Sequence, residues 1–322
     1  MPWYDLPLER LREYRTQTAE PPGLDEWWAK RLDDARALGR PFELHPYQQA
    51  DLYRPLEVYD AEFSGAGGDR IRAWYIKPAA IENPPVVVRF IGYGGGRALP
   101  SDHTLLPALG YALLVMDSRG QGGRWSSGAT GDGAAGPENS QVMSRGITTP
   151  EDYYDTRMFT DAALAVDAAL ELSGGRKVAV SGGSQGGGLA LAAAALQRDK
   201  VAVCHADVPF LCDIQRAITL APRAPYTEIP GFLSQNVALI PQTLETLRYV
   251  DCALLARRIT AQCLLSVGLM DDICPPSTVF AAYNEIVAAK DIAVYPYSGH
   301  DVPHAHAERQ LRHLRAKFPA DA

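Results

Sequence analysis

The stretch Lys177-Val-Ala-Val-Ser-Gly-Gly-Ser184-Gln-Gly-Gly-Gly188 decides how this chain is read. The β-branched residues Val178 and Val180 specify a short strand, and Gly182 and Gly183 end it. An Ala/Leu-rich run to Leu196 then starts a helix at once. Between the two, Gly182-Gly183-Ser184-Gln185-Gly186 fits Gly-x-Ser-x-Gly. In a strand–turn–helix setting this pattern places the serine on a sharp turn with its oxygen exposed above a sheet. The flanking positions must lack a Cβ because strand and helix pass very close there. The helix that follows points its positive end at the serine, where an oxyanion would develop. A phosphate-cradling loop would require Gly-Lys-[Ser/Thr], which does not follow.

The remaining pattern supplies the sheet around that turn. Val58 to Ser64 and Ile71 to Ile76 alternate apolar and polar residues, with Gly65 to Asp69 as a hairpin turn. Pro85 to Ile91, Tyr111 to Met116, Val201 to His205 and Cys263 to Val267 are short apolar runs, as expected of strands covered on both faces. Ile292 to Tyr297 is the last strand. Helices are expected over Glu151 to Leu172 and Ala305 to Phe318. Strands alternating with helices predict an α/β fold: a mostly parallel, doubly covered sheet that opens with antiparallel strands.

All 322 residues are read as one domain. Residues 1–55 are predicted to be a helical extension, broken at Pro21-Pro22-Gly23, that clasps the body through Trp3, Trp27 and Trp28. Residues 120–147, rich in Gly, Ser and Ala, form a long irregular excursion of the kind used for function or for an interface. Residues 209–247, interrupted by Pro222, Pro225, Pro230 and Pro241, read as a helical insertion near the site.

A net charge of -7 with scattered acids and bases argues against nucleic-acid and anionic-membrane partners. No apolar run approaches a membrane span, and no charged start followed by an apolar stretch suggests a secretory leader. Five widely spaced cysteines, Cys204, Cys212, Cys252, Cys263 and Cys274, predict reduced core thiols and a cytoplasmic location.

A serine hydroxyl needs a base within hydrogen-bond reach, and the base needs an acid to orient it. In a fold of this type the order along the chain is Ser, acid, His. His205 precedes every candidate acid, and His304, His306 and His313 fall in the last helix, where a solvated face is the default. His300 follows a strand through Ser298-Gly299 and is the expected base. Either Asp271 or Asp272, on the loop after Cys263 to Val267, fits as the acid. Asp301, His304 and His306 match no standard metal-site spacing, so neither metal nor organic cofactor is expected. An oxyanion hole needs two backbone N–H groups: Gln185, after the nucleophile, and Tyr93, in the loop Gly92-Tyr93-Gly94-Gly95-Gly96.

Taken together, the chain resembles the acetyl xylan esterase and cephalosporin C deacetylase family, carbohydrate esterase family 7, over nearly its whole length. The resemblance rests on Asp5-Leu6-Pro7-Leu8-Glu9, on Phe90 to Arg97, on Asp117-Ser118-Arg119-Gly120-Gln121-Gly122, on Gly182 to Gly187 and on Ser266 to Asn284. It implies an α/β-hydrolase fold with Ser184 as nucleophile, Asp271 as acid and His300 as base. It implies Tyr93 and Gln185 as backbone oxyanion donors, Arg119 and Gln121 as structural support, and Phe210 at a position facing the substrate. The family's usual His-Glu is His300-Asp301 here. The implied reaction is removal of acetyl groups from small substrates such as xylo-oligosaccharides and cephalosporin C through an acyl-serine, in a ring-shaped homohexamer. Competing expectations are a hydrolase of the same fold acting on longer esters or peptides, and a non-catalytic scaffold.

Overall fold

Nine strands form one sheet in this computed structural model, which describes residues 4–133 and 141–320. The strands are β1 (Glu43–Pro46), β2 (Leu56–Ser64), β3 (Arg70–Pro78), β4 (Val86–Phe90), β5 (Ala112–Met116), β6 (Val178–Gly183), β7 (Val201–Asp207), β8 (Gln262–Gly268) and β9 (Lys290–Tyr295). Their spatial order is β1-β2-β3-β5-β4-β6-β7-β8-β9. Pairing is antiparallel from β1 through β3 to β5 and parallel from β5 to β9. The predicted parallel sheet with an antiparallel opening is therefore present, and β6, which carries the Gly-rich turn, lies inside it between β4 and β7.

Both faces are covered, which explains why the central strands read as continuous apolar runs. In β4, Val86, Val88 and Phe90 face the larger core, while Val87 and, just beyond the strand, Ile91 belong to a separate cluster on the opposite face. The helices are α1 (Leu8–Leu11), α2 (Leu24–Ala37), α3 (Leu105–Ala108), α4 (Tyr154–Leu172), α5 (Gln185–Leu196), α6 (Ile214–Leu220), α7 (Glu228–Gln235), α8 (Ile240–Leu247), α9 (Cys252–Leu255), α10 (Pro276–Glu285) and α11 (Ala305–Lys317). Helices α4 and α5 pack in the larger core, and Leu106 of α3 and Leu314 of α11 pack in the smaller cluster. Among the described residues no helix is long and apolar enough to cross a membrane.

The expected helical extension is only partly helical. Residues 12–23 lie outside both α1 and α2, and Glu43–Pro46 add the first strand of the sheet. That strand escaped notice because it is an edge with only Glu43 partly covered, so no alternation marks it. The segment does clasp the body. Trp28 donates from Nε1 to the carbonyl of Tyr249 (2.9 Å) and stacks on Phe159 at 6.1 Å between ring centroids. Trp27 lies 4.8 Å from the Tyr249 ring. Trp3 and the middle of the 120–147 excursion fall outside the described residues. Residues 209–247 hold α6, α7 and α8, in agreement with the helical reading.

Candidate active site

Ser184 stands between β6 and α5 with φ 56° and ψ −122°, a strained conformation for a residue with a Cβ. Besides the helical bond from Gly188 N–H to its carbonyl (3.0 Å), two backbone bonds hold it there. Its N–H donates to the carbonyl of Asp207 (2.9 Å), and its carbonyl accepts from the N–H of Phe210 (2.9 Å). The pattern's second glycine is required by close approach: a Cβ on Gly186 would collide with the carbonyl of Phe90 at the end of β4.

Three distant side chains converge on this turn. His300 Nε2 lies 2.8 Å from Ser184 Oγ, and His300 Nδ1 lies 2.8 Å from Asp271 Oδ2. Asp271 is wholly buried, and its other oxygen accepts from the N–H groups of Ile273 (2.8 Å) and Cys274 (2.9 Å). A carboxylate fixed this way orients the imidazole so that its free nitrogen points at the hydroxyl. Asp272, the alternative acid, faces Arg223 instead, at 3.4 Å. Of the two, Asp271 is the carboxylate bonded to the imidazole. The His300 loop is brought in by Gly268, where a Cβ would strike the backbone of Ser298 and Gly299.

The extension reaches this centre too. Tyr4 donates to the carbonyl of Asp271 (2.6 Å), and Asp5 accepts from Ser277 N–H (2.7 Å) and from Arg216 (3.0 Å). These contacts pin the loop that carries the acid.

Gln185 opens α5, so its N–H has no partner within the helix. In the Gly92–Gly96 loop, Gly94 N–H donates to Gln121 (2.6 Å), Gly95 N–H to the Gly92 carbonyl (3.1 Å), and Gly96 N–H to Ser126 (3.0 Å). With those three engaged inside the protein, the Tyr93 N–H is the candidate donor from this loop. The Tyr93 carbonyl accepts from Trp125 Nε1 (2.9 Å), and its hydroxyl reaches both oxygens of Glu228 (2.9 Å each). Burial, followed by the Glu228 charge, pushes the Tyr93 phenol up, so it stays a donor.

Arg119 and Gln121 support the site rather than line it. Gln121 donates to the side-chain oxygen of Gln185 (2.8 Å) and to Tyr154 (2.8 Å) while accepting from Gly94. One buried amide thus ties the two oxyanion-side loops together. Arg119 is fully buried on Asp161 (2.6 and 2.8 Å) and Asp69 (2.9 Å). Burial alone would lower its pKa, but Asp161 and Asp69 more than offset this and raise it.

Two expectations need correction. Phe210 does not face a substrate: its ring is fully buried, 4.1 Å from Tyr226, and it serves the turn through its backbone N–H. His306 is no solvated helix residue. It is 1% exposed, with Nε2 2.7 Å from Asp207 and Nδ1 2.8 Å from Tyr295. With both ring nitrogens engaged, it is not a free metal ligand beside Asp301 and His304. The one group of metal-type ligands found among the described residues is Asp271, Cys274 and His300. Two of these already bind each other, and burial pushes the Cys274 thiol well up, away from the thiolate a metal would take. Sequence reasoning also missed Glu228 and Trp125, which hold Tyr93. Glu228 opens α7 and Trp125 lies in the irregular excursion after β5, both far from Tyr93 along the chain and without a local signature.

Residues 1–317 match the acetyl xylan esterase (AXE1) family. The chain belongs to that family. An acetyl esterase, Axe7A, from Xylanibacter ruminicola is 28% identical over 299 residues, covering 91% of this chain and 65% of that protein's length. The acetyl xylan esterase from Paenibacillus sp. R4 superposes with a TM-score of 0.86 at 33% identity, covering 97% of this chain and 100% of that one. Acetyl xylan esterase 1 from Thermoanaerobacterium sp. JW/SL YS485 gives 0.86 at 35% identity, covering 98% and 100%. The fold is accordingly that of the α/β hydrolases, as expected.

Proposed function

We propose that this protein is a serine esterase that removes acetyl groups from small acetylated carbohydrates through a covalent acyl-serine. The observation that carries this is the unbroken chain of hydrogen bonds from Ser184 Oγ through His300 to Asp271, with both links at 2.8 Å. His300 Nε2 takes the proton as Ser184 Oγ attacks the ester carbonyl. The N–H groups of Tyr93 and Gln185 receive the developing oxyanion, worth about 3–4 kcal/mol per donor. His300 then returns the proton to the leaving sugar oxygen. A water, deprotonated by the same imidazole, releases acetate and free serine. Asp271, bonded to Nδ1, orients the ring and stabilises the imidazolium that forms.

The acetyl preference is supported by family membership and by the similar proteins being acetyl and acetyl xylan esterases. Acetylated xylo-oligosaccharides are the first substrates to try, and cephalosporin C the second. A cytoplasmic location is supported by five unjoined, buried thiols. A homohexamer follows from the resemblance alone, and light scattering after size exclusion tests it: a monomeric mass removes it. For the reaction, p-nitrophenyl esters from acetyl to octanoyl are compared in wild type and Ser184→Ala. Turnover should be greatest on acetate and vanish in the variant. Preference for octanoate would defeat the acetyl reading, and an active alanine variant would defeat the serine mechanism.

A further inference from the structure

On the sheet face opposite the larger core, α3 and α11 leave a cavity of ≈ 510 Å³ whose lining includes residues of β4, β6 and β7. Its volume lies in the range of small-molecule sites. Most of its wall is apolar, including Val87, Leu106, Leu113, Leu311 and Leu314. Its floor is not. Arg89, Ser181 and His205 stand side by side on adjacent strands, Arg89 opposite Ser181 and Ser181 opposite His205.

Two polar atoms on that floor are orphaned. Arg89 Nε and Ser181 Oγ are both buried and have no hydrogen-bond partner among the described residues. A buried polar atom without a protein partner needs an explanation, and here two of them line one cavity. The rest of the floor is already satisfied. Asp207 accepts from Ser266 (2.8 Å) and Gln310 (2.8 Å) and pairs with His306 (2.7 Å), while His205 lies 3.0 Å from His313. Burial, and then the charge of His313, pushes His205 down to about 3, so it is neutral. The cavity floor thus offers one guanidinium and one hydroxyl with unpartnered atoms, beside an Asp207 carboxylate that is engaged by Ser266, Gln310 and His306. A carboxylate accepts from both groups, and a hydrocarbon body fills the rest.

We propose that this cavity, whose wall reaches Gly92, Trp125 and Gly183 beside the Ser184 turn but does not include Ser184, Asp271 or His300, is a second binding site for an organic monocarboxylate held by Arg89 and Ser181. The ligand's tail lies against Leu106, Leu113 and Leu314. A dianionic phosphate ester is disfavoured, because the Asp207 carboxylate shares the floor and only one cation faces the ligand.

The test is calorimetric titration of the full-length protein with hexanoate, with hexanol as the uncharged control. One hexanoate per chain should bind, and hexanol should bind more weakly. Arg89→Met should weaken hexanoate at least about tenfold, the loss expected of one charge-assisted bond, and Arg89→Lys should recover part of it. Leu106→Trp, which fills the cavity and leaves Arg89 in place, should abolish binding and covers the case in which Arg89→Met fails to fold. Pre-treatment with a fluorophosphonate that blocks Ser184 should change nothing. The proposal is overturned by no binding at millimolar hexanoate, by equal binding of hexanol, by unchanged affinity in Arg89→Met or Leu106→Trp, or by loss of binding once Ser184 is blocked.

Discussion

Replacing Asp271 with Asn tests the catalytic geometry at a single atom. Oδ1 of Asp271 accepts from two backbone N–H groups, at 2.8 and 2.9 Å. An amide at this position must keep its oxygen on those donors, because turning over would set its NH2 against two N–H groups. Its nitrogen is therefore forced toward His300 Nδ1, where the carboxylate stood at 2.8 Å. An NH2 there donates to Nδ1 and leaves the ring proton on Nε2, the atom that must accept from Ser184. The imidazole is then held in the wrong tautomer. The cost expected of that exchange is about 10⁴-fold in kcat, or ~5.5 kcal/mol of transition-state stabilisation. Fold stability should fall far less, by about 1–3 kcal/mol for the lost charge-assisted bond. The assay is p-nitrophenyl acetate turnover at neutral pH beside a urea unfolding curve, with Asp272→Asn as the companion. That variant disturbs only a contact with Arg223 and should leave kcat near wild type. If Asp271→Asn kept a tenth of wild-type kcat, or if Asp272→Asn lost as much as Asp271→Asn, the tautomer reasoning would be refuted.

Two further outcomes follow from the surroundings. Asp155 is buried with Oδ2 unpartnered, and its pKa is raised to about 7, by burial first and with the Glu228 charge adding to it against a bond from Tyr153. Below about pH 4 both folded and unfolded chains carry the proton; above it only the unfolded chain releases it, so wild type loses up to roughly 4 kcal/mol between pH 4 and 7. Asp155→Asn lacks that loss, and its unfolding free energy relative to wild type should climb across this window; a difference flat with pH counts against it. Gln121→Leu strands Gly94 N–H and the Gln185 side-chain oxygen, while Tyr154 keeps its bond to the Arg119 carbonyl, and should lower stability by about 2–6 kcal/mol at ~1–3 per stranded group. Because that amide ties the two oxyanion-side loops, kcat should drop more than KM rises, and unchanged kcat in the folded variant would show that the tie is dispensable.

The parts of the site that sterics dictates were legible in the chain. Ser184 announced itself because only glycine fits at Gly186, against the Phe90 carbonyl. His300 was legible because a strand, a Ser-Gly turn and a histidine leave little choice of position. Asp271 and Asp272 were not separable by spacing, since what distinguishes them is which carboxylate faces the N–H groups of Ile273 and Cys274. β1 was illegible because an exposed edge strand has no apolar face to repeat. Phe210 was misread because its contribution is a backbone N–H, which no side-chain pattern reports. His306 looked like one more polar helix residue, and only the fold brings it against Asp207. The floor of the second cavity was hidden for a related reason. Arg89 interrupts the apolar run Val86 to Phe90, and the direction it faces depends on strand pairing.

Asp207 has a double duty with a practical outcome for heat inactivation. Its carbonyl holds the Ser184 N–H, while its carboxylate grips His306 and Gln310 of the helix just beyond the His300 loop. The Ser184 turn and the helix that follows the His300 loop thus share a mooring on one strand end. Loosening of the C-terminal helix on warming would let the imidazole drift while the sheet stays intact. Turnover would then fade at temperatures where far-ultraviolet dichroism still reports a native chain, and cooling would restore it.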